Sequence, residues 1–235
     1  AVVARGRARQ GFQNLVLLGS QREEPTSDPA FGPQDDPAVA EVVRLDMGEP
    51  GAVERTVRGI RERHGRISGV IHLAGRPGIG FLHTKTTDEF MAVYRPKALG
   101  GVALHNATRD DDLRFFVAFS SVSGFLPGHG QTDYTAANLV LDSLAQYRSA
   151  QNLPALSIQW PAWRRTGMAE RLGAVDEEEL FPPLDPAEGT DLLRALMAGE
   201  GHPTVVMPGR KRPAPGAAQS SSQAGKADMA DARSV

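Results

Sequence analysis

Apolar residues along the chain fall into short runs that alternate with longer stretches of helical repeat. The run N-L-V-L-L-G at 14–19 ends in glycine, the pattern of a strand buried in a parallel sheet. Val42–Met47 reads as a second strand that brings Asp46 to its end, and Ile67–Gly75 as a third ending in small residues. Between them, Pro50–His64 carries apolar residues at 53, 57 and 60, near helical spacing. Helical sequence follows over Thr86–Thr108, then a strand over Leu113–Phe119 and a long helix over Thr132–Asn152. A strand at Pro154–Trp160, a helix at Asp185–Ala198 with Pro186 in its first turn, and a strand at Pro203–Met207 complete the series. Residues 1–12 read as the remainder of a helix, and Ser20–Asp36, with three prolines, as irregular loop. Regular alternation of strand and helix predicts an α/β fold: a doubly wound parallel sheet with helices on both faces. Beyond Pro208 the periodicity stops, and K-R-P-A-P-G-A-A-Q-S-S-S reads as flexible linker. The expected organisation is one domain over 1–209 and a tail over 210–235.

Composition narrows the class. An apolar fraction of 40% and a formal net charge of −2 suit a soluble globular protein. No window reaches the roughly 18 consecutive apolar residues of a membrane span. The absence of cysteine excludes disulfides and thiolate metal sites. The six histidines lack metal-ligand spacing, so no metal is expected. No basic or aromatic-basic stripe suggests nucleic acid. No signal-peptide pattern is present, so a cytoplasmic location is expected, and Ala1 in place of Met suggests a piece of a longer polypeptide. Lysine occurs only at 85, 97, 211 and 226, so a lysine inside the fold is notable.

The candidate chemistry lies in F-F-V-A-F-S-S-V-S-G-F-L-P-G-H-G-Q-T-D-Y-T-A-A-N, from Phe115. Ligands of open parallel sheets bind at the carboxyl ends of strands. Here those ends carry Asp46, His72–Gly75 and Ser120–Ser121. Tyr134 and Asn138 are four apart, on one helix face. Ser121 stands at a strand end, and the intervening loop can bring its hydroxyl to that of Tyr134. Lys97 comes from the preceding helix, in R-P-K-A-L-G-G. A free tyrosine has a pKa of about 10, and a nearby ammonium favours the phenolate and lowers it. Serine can meanwhile polarise a carbonyl. Tyrosine, lysine and serine thus form a proton-delivery set for reducing a ketone, with hydride supplied by a nicotinamide.

F-S-S-V-S-G followed by Y-T-A-A-N, together with V-I-H-L-A-G, Y-R-P-K-A-L-G-G, P-A-L-S-I-Q-W-P-A-W and T-G-M-A, resembles the ketoreductase domain of modular type I polyketide synthases. That family lies within the short-chain dehydrogenase/reductase superfamily, with its Rossmann-like fold. The likeness covers roughly residues 1–208. Ordinary short-chain reductases carry Y-x-x-x-K; here Asn138 takes the lysine's place and Lys97 comes from the earlier helix, as is typical of polyketide ketoreductases. The resemblance implies that Tyr134 donates the proton, Ser121 orients the carbonyl, and Lys97 holds the tyrosine and the nicotinamide ribose. Asn138 completes the network. It further implies that Asp46 meets the adenine, that Ala74–Gly75 passes the adenosine ribose, and that the cofactor is NADPH. The implied substrate is a β-ketoacyl chain on the phosphopantetheine arm of an acyl carrier protein, with other domains of the same synthase as partners.

The sequence departs from that family in several places. The opening strand and T-G-G-x-G-x-x-G turn have no counterpart, since Gly6 and Gly11 follow no strand. The strands at 14–18 and 67–74 are therefore expected to lack a neighbour, leaving the chain marginal in stability and weak in cofactor binding. The family's arginine for the 2′-phosphate is replaced by Ser20, leaving Arg22 as the candidate phosphate ligand or a solvated loop residue. The L-D-D signature of one stereochemical class reads R-P-G-I-G at 76–80, and Leu126 stands where the other class has tryptophan. Plainer readings stand beside the catalytic ones. Ser120 and Ser123 read as loop hydrogen-bonders, Asp46 as a helix cap, His72 as a strand-end residue held by backbone, and His129 as a loop residue near the entrance. Asp176–Glu179 reads as a solvated face or helix start, and Trp160 and Trp163 as packing or as the lining of the entrance. Two other functions stay open: a non-catalytic ketoreductase-like module that docks neighbours, and a free-standing short-chain dehydrogenase acting on a small alcohol.

Overall fold

In this computed structural model, residues 14–19, 39–199 and 204–209 are described. The readings of residues 1–12, the loop Ser20–Asp36 with Arg22, and the tail after 210 lie outside them.

The described residues form six strands: β1 Leu15–Gly19, β2 Val39–Arg44, β3 Gly69–His72, β4 Phe115–Ser121, β5 Leu156–Trp160 and β6 Val205–Val206. All pairings are parallel. They form a two-stranded sheet β1–β2 and a four-stranded sheet β3–β4–β5–β6. Among the described residues β1 pairs only with β2 and β3 only with β4. The helices are α1 Pro50–His64, α2 Thr87–Tyr94, α3 Gly100–Thr108, α4 Thr132–Ala150, α5 Gly167–Arg171 and α6 Pro186–Ala198.

Several boundaries differ from expectation. β2 begins and ends three residues early, so Asp46 sits in a turn beyond the strand. β3 stops at His72, leaving Leu73–Gly75 as extended chain without a ladder. β4 continues through Ser120 and Ser121. Asp176–Glu179 is turn rather than helix, and Glu177 pairs with Arg164. The helical stretch from Thr86 is not uniform either: a π turn, Arg95–Leu99, separates α2 from α3. Pro96 has no N–H to give and its ring crowds the preceding turn, so the ladder widens there.

Alternate residues along a strand face opposite sides, and the two cores follow that rule. Phe116 and Val70 join Leu45, Val53, Val57, Ala103, Leu104 and Leu144 on one face, under α1, α3 and α4. Val117 and Ile71 turn to the other face with Ile158, Leu184 and Leu193, under α6. This is the doubly wound layering. α1 forms as predicted, with Val53, Val57 and Ile60 buried and basic residues Arg61, Arg63 and His64 at its negative end. Gly65, at φ 79, ends it. α3 approaches its neighbours through two glycines: a Cβ at Gly100 would lie 2.8 Å from the Met47 carbonyl, and one at Gly101 2.6 Å from Leu141.

Candidate active site

A cleft of about 1660 Å³ opens along the carboxyl ends of β1–β5, lined by Asp46, Ala74, Gly75, Lys97, Ser121 and Tyr134 among others. Ser121 closes β4, where its Oγ accepts the Ser123 N–H at 3.2 Å. Tyr134 stands in the first turn of α4, half-buried, with the side chains of Ser121 and Asn138 beside its phenol. Asn138 is fully buried one turn on. Its Nδ2 donates to the Tyr134 carbonyl at 2.8 Å and to Ser123 Oγ at 3.3 Å, while Oδ1 has no hydrogen-bond partner. Thr135 Oγ1 donates to the Ser123 carbonyl, and Ser120 Oγ to the Asn138 carbonyl. Ser120 and Ser123 are thus the hydrogen-bonders expected. They lock the loop after β4 to α4.

Lys97 enters from the π turn, 3% exposed. Its Nζ donates to the Phe119 carbonyl at 2.7 Å and lies 5.5 Å from the centroid of the Tyr134 ring. Gly75 makes room for it, because a Cβ there would come within 2.7 Å of Lys97 Cε. Burial pushes the ammonium down to about 8, opposed by the Asp142 carboxylate. His72, also buried, fixes the same turn from below through Nε2 and the Lys97 carbonyl, 2.8 Å apart. A carbonyl only accepts, so the ring proton is on Nε2. Burial holds His72 down to about 4, keeping it neutral. His72 is thus the backbone-held strand-end residue that its position leads one to expect.

One expectation fails. The ammonium does not lower the Tyr134 pKa, which burial raises above its ordinary value against the opposing influence of the nearby Ser121 and Asn138 side chains. Lys97 faces the ring rather than the phenol oxygen, and its donor goes to the Phe119 carbonyl, so desolvation wins.

The far end of the cleft is looser. Asp46 is exposed, and its Oδ1 accepts the Gly48 N–H at 2.8 Å. The helix cap of α1 is Glu49, so Asp46 caps the turn before the helix rather than the helix itself. Ala74 packs partly against the first core while lining the cleft. His129 lies at the cleft as expected. Trp160 and Trp163 serve both readings: they line the cleft and pack edge to face, 5.1 Å between centroids. Trp160 Nε1 is buried without a partner.

Sequence reasoning missed Asp142. It is buried and accepts Ser157 Oγ at 2.6 Å and Gln159 Nε2 at 2.8 Å. The signal was available, since Tyr134, Asn138 and Asp142 repeat every fourth residue along one face of α4. It also missed an ion pair between Lys85 and Asp133. Among the described residues no group of three His, Asp or Glu side chains could hold a metal ion, and no helix is long and apolar enough to cross a membrane.

Known proteins are similar to this chain. Residues 1–165 match the family model of the KR domain. The chain is 40% identical over 168 residues to polyketide synthase GfsB of Streptomyces halstedii, covering 69% of this chain and 3% of that protein. It is 34% identical over 222 residues to polyketide synthase ThaG of Burkholderia thailandensis, covering 89% of this chain and 4% of that one. The chain thus spans a small part of these relatives. A crystal structure of a ketoreductase domain from the bacillaene assembly line superposes with a TM-score of 0.75 at 28% identity, over 88% of this chain and 52% of that one. With the serine, tyrosine, asparagine and lysine gathered at the end of β4, the chain belongs to the KR family, the ketoreductase domains of polyketide synthases within the short-chain dehydrogenase/reductase superfamily.

Proposed function

We propose that this domain catalyses the NADPH-dependent reduction of a β-ketoacyl thioester, carried on the phosphopantetheine of an acyl carrier protein, to the β-hydroxyacyl form. The observation that carries this reading is that Ser121 and Asn138 flank the Tyr134 phenol and Lys97 sits over its ring, at a cleft along the strand ends. The residues fit a dinucleotide: the cleft runs from Gly19 and the Asp46 turn past Ala74–Gly75 to Tyr134, with small residues along its length. A nicotinamide bound there supplies the hydride, which side chains cannot.

The remaining chemistry is the chain's own. Burial keeps the Tyr134 phenol protonated at neutral pH, the form a donor needs. Ser121 hydrogen-bonds the substrate carbonyl and holds its oxygen near that phenol. As negative charge gathers on the oxygen, the proton passes from Tyr134, leaving a phenolate. The Ser121 and Asn138 side chains lie beside that position and favour the anion, while the Lys97 ammonium, over the ring face, holds the tyrosine in place and would hold the nicotinamide ribose. Trp160 and Trp163 give the cleft apolar lining. Asp46 and Gly75 bind the adenosine half, and Arg22, from the sequence alone, is the candidate for the 2′-phosphate.

The test replaces the proton donor. Tyr134→Phe should lower kcat by about 10²- to 10⁴-fold while NADPH binding, followed by nucleotide fluorescence, changes by less than about twofold. Turnover near the parent rate would refute the assignment.

A further inference from the structure

We propose that the Lys85–Asp133 ion pair is a positioning device: it clamps the cleft wall at Arg76–Ile79 to the first turn of α4, and so sets where the substrate meets Tyr134. The inference rests on the reduction proposed above. The two side chains are in direct contact with almost no water around them, 7% exposed for Lys85 and 0% for Asp133. Asp133 precedes Tyr134 directly, and its Oδ1 also accepts the Tyr134 backbone N–H at 2.9 Å. The helix has no side-chain cap from Gln131, so this carboxylate is the group that answers its positive end.

The other half of the clamp is the loop after β3. A Cβ at Gly78 would fall 2.1 Å from Asp133 Oδ1, so the carboxylate rests against bare backbone there. A Cβ at Gly130, itself at φ +69, would sit 3.2 Å from the Gly80 nitrogen. Lys85 is followed immediately by the Thr86–Glu89 capping box that starts α2, so the ammonium is carried by a rigid helix entrance. Arg76, Pro77, Gly78 and Ile79 line one side of the cleft, and Gln131 and Tyr134 the other. The ion pair ties these sides together.

Stability alone does not account for such a pair. Replacing both members of a buried ion pair by neutral groups is often neutral, whereas removing one leaves a buried charge unpaired. What the pair supplies is a fixed distance between loop and helix, and a shift of about 1 Å at a reacting centre can cost about 100-fold in rate.

The experiment uses Asp133→Asn, Lys85→Met and the double variant in the full chain. Amide exchange is followed at residues 76–84 and 131–135. In parallel, kcat/KM and the ratio of product enantiomers are measured with NADPH and a small β-ketoacyl thioester. Each single variant should speed exchange in both segments by about tenfold, lower kcat/KM by about 10- to 100-fold, and change the enantiomer ratio, with NADPH affinity unchanged. The double variant should recover part of the rate, since neither charge is then buried alone, and it carries the test if a single variant does not fold. Parent-like exchange and an unchanged enantiomer ratio in folded variants would overturn the clamp. Should the parent protein reduce no thioester, the reduction reading fails by itself, and the exchange arm still decides whether the pair holds the loop.

Discussion

The two ends of the cleft are built differently. Around Tyr134, Asn138, Ser120, Ser123 and Lys97 are all at or below 5% exposed, and each makes at least one bond to the backbone or side chains of a neighbouring element. Around Asp46 the polar groups face solvent, and one side-chain bond, to Gly48, shapes the turn. Proton transfer needs a dry site whose groups are already in place, because an oriented donor in low dielectric costs no reorganisation during reaction. Holding the outer part of a long cofactor needs shape, and many modest contacts suffice. Substitutions at the first end should therefore stop chemistry, and those at the second should only weaken binding.

After the proton donor itself, the largest departures from parent behaviour are expected at Lys97. Its change from 10.5 to about 8 means the folded protein holds an ammonium against burial. The folded form binds fewer protons than the unfolded chain between those values, so stability rises as pH increases from about 8 to 10.5 and the penalty is fully present below 8. Lys97→Met should lower kcat/KM by about 100-fold or more, yet raise unfolding stability at pH 7 by up to about 3 kcal/mol. Loss of both activity and stability would show that the Phe119 carbonyl bond outweighs desolvation. In the parent, turnover that depends on this ammonium should fall as pH passes above about 8.

His72 sharpens the same comparison from beneath the site. Held neutral down to about 4, it must protonate on unfolding below its ordinary 6.5. The unfolded chain then binds the extra proton, so stability is lost as pH falls from 6.5 towards 4, by about 3 kcal/mol in all. In His72→Gln, whose amide can still donate to the Lys97 carbonyl, that acid dependence should flatten, as measured by denaturant unfolding at pH 4.5 and 7. An unchanged acid limb would place the sensitivity elsewhere.

Much of this architecture is legible in the sequence because it is periodic. α1 appears over its predicted residues since Val53, Val57 and Ile60 mark one face, and the spacing of Tyr134 and Asn138 puts both on one helix, as found. What is not legible depends on contacts between distant segments. The Lys85–Asp133 pair joins residues 48 apart, and nothing local to either announces it. The π turn is written in Pro96, but its consequence, an ammonium over the face of a ring rather than at its oxygen, follows from how Gly75, Phe119 and Lys97 pack. The direction of the Tyr134 shift escapes the sequence for the same reason: proximity is readable there, orientation and burial are not. β3 ends at His72, whose ring bonds the Lys97 carbonyl 25 residues on, a partner the local sequence does not announce.

The smallest effect belongs to Asp46, where two substitutions separate two roles. If the carboxylate serves only the turn, Asp46→Asn should behave as the parent does, since an amide oxygen can accept the Gly48 N–H equally well. Asp46→Ala would then lose that bond, loosen Gly48 from its close approach to Arg95, and weaken NADPH by about two- to fivefold, in keeping with one exposed hydrogen bond. If the charge itself meets the adenine, both variants should weaken NADPH alike. Neither should alter the rate at saturating cofactor, because no bond links Asp46 to Tyr134 or Lys97 among the described contacts. A fall in that rate would mean that the loose end of the cleft is coupled to the dry one, and the contrast between them would have to be abandoned.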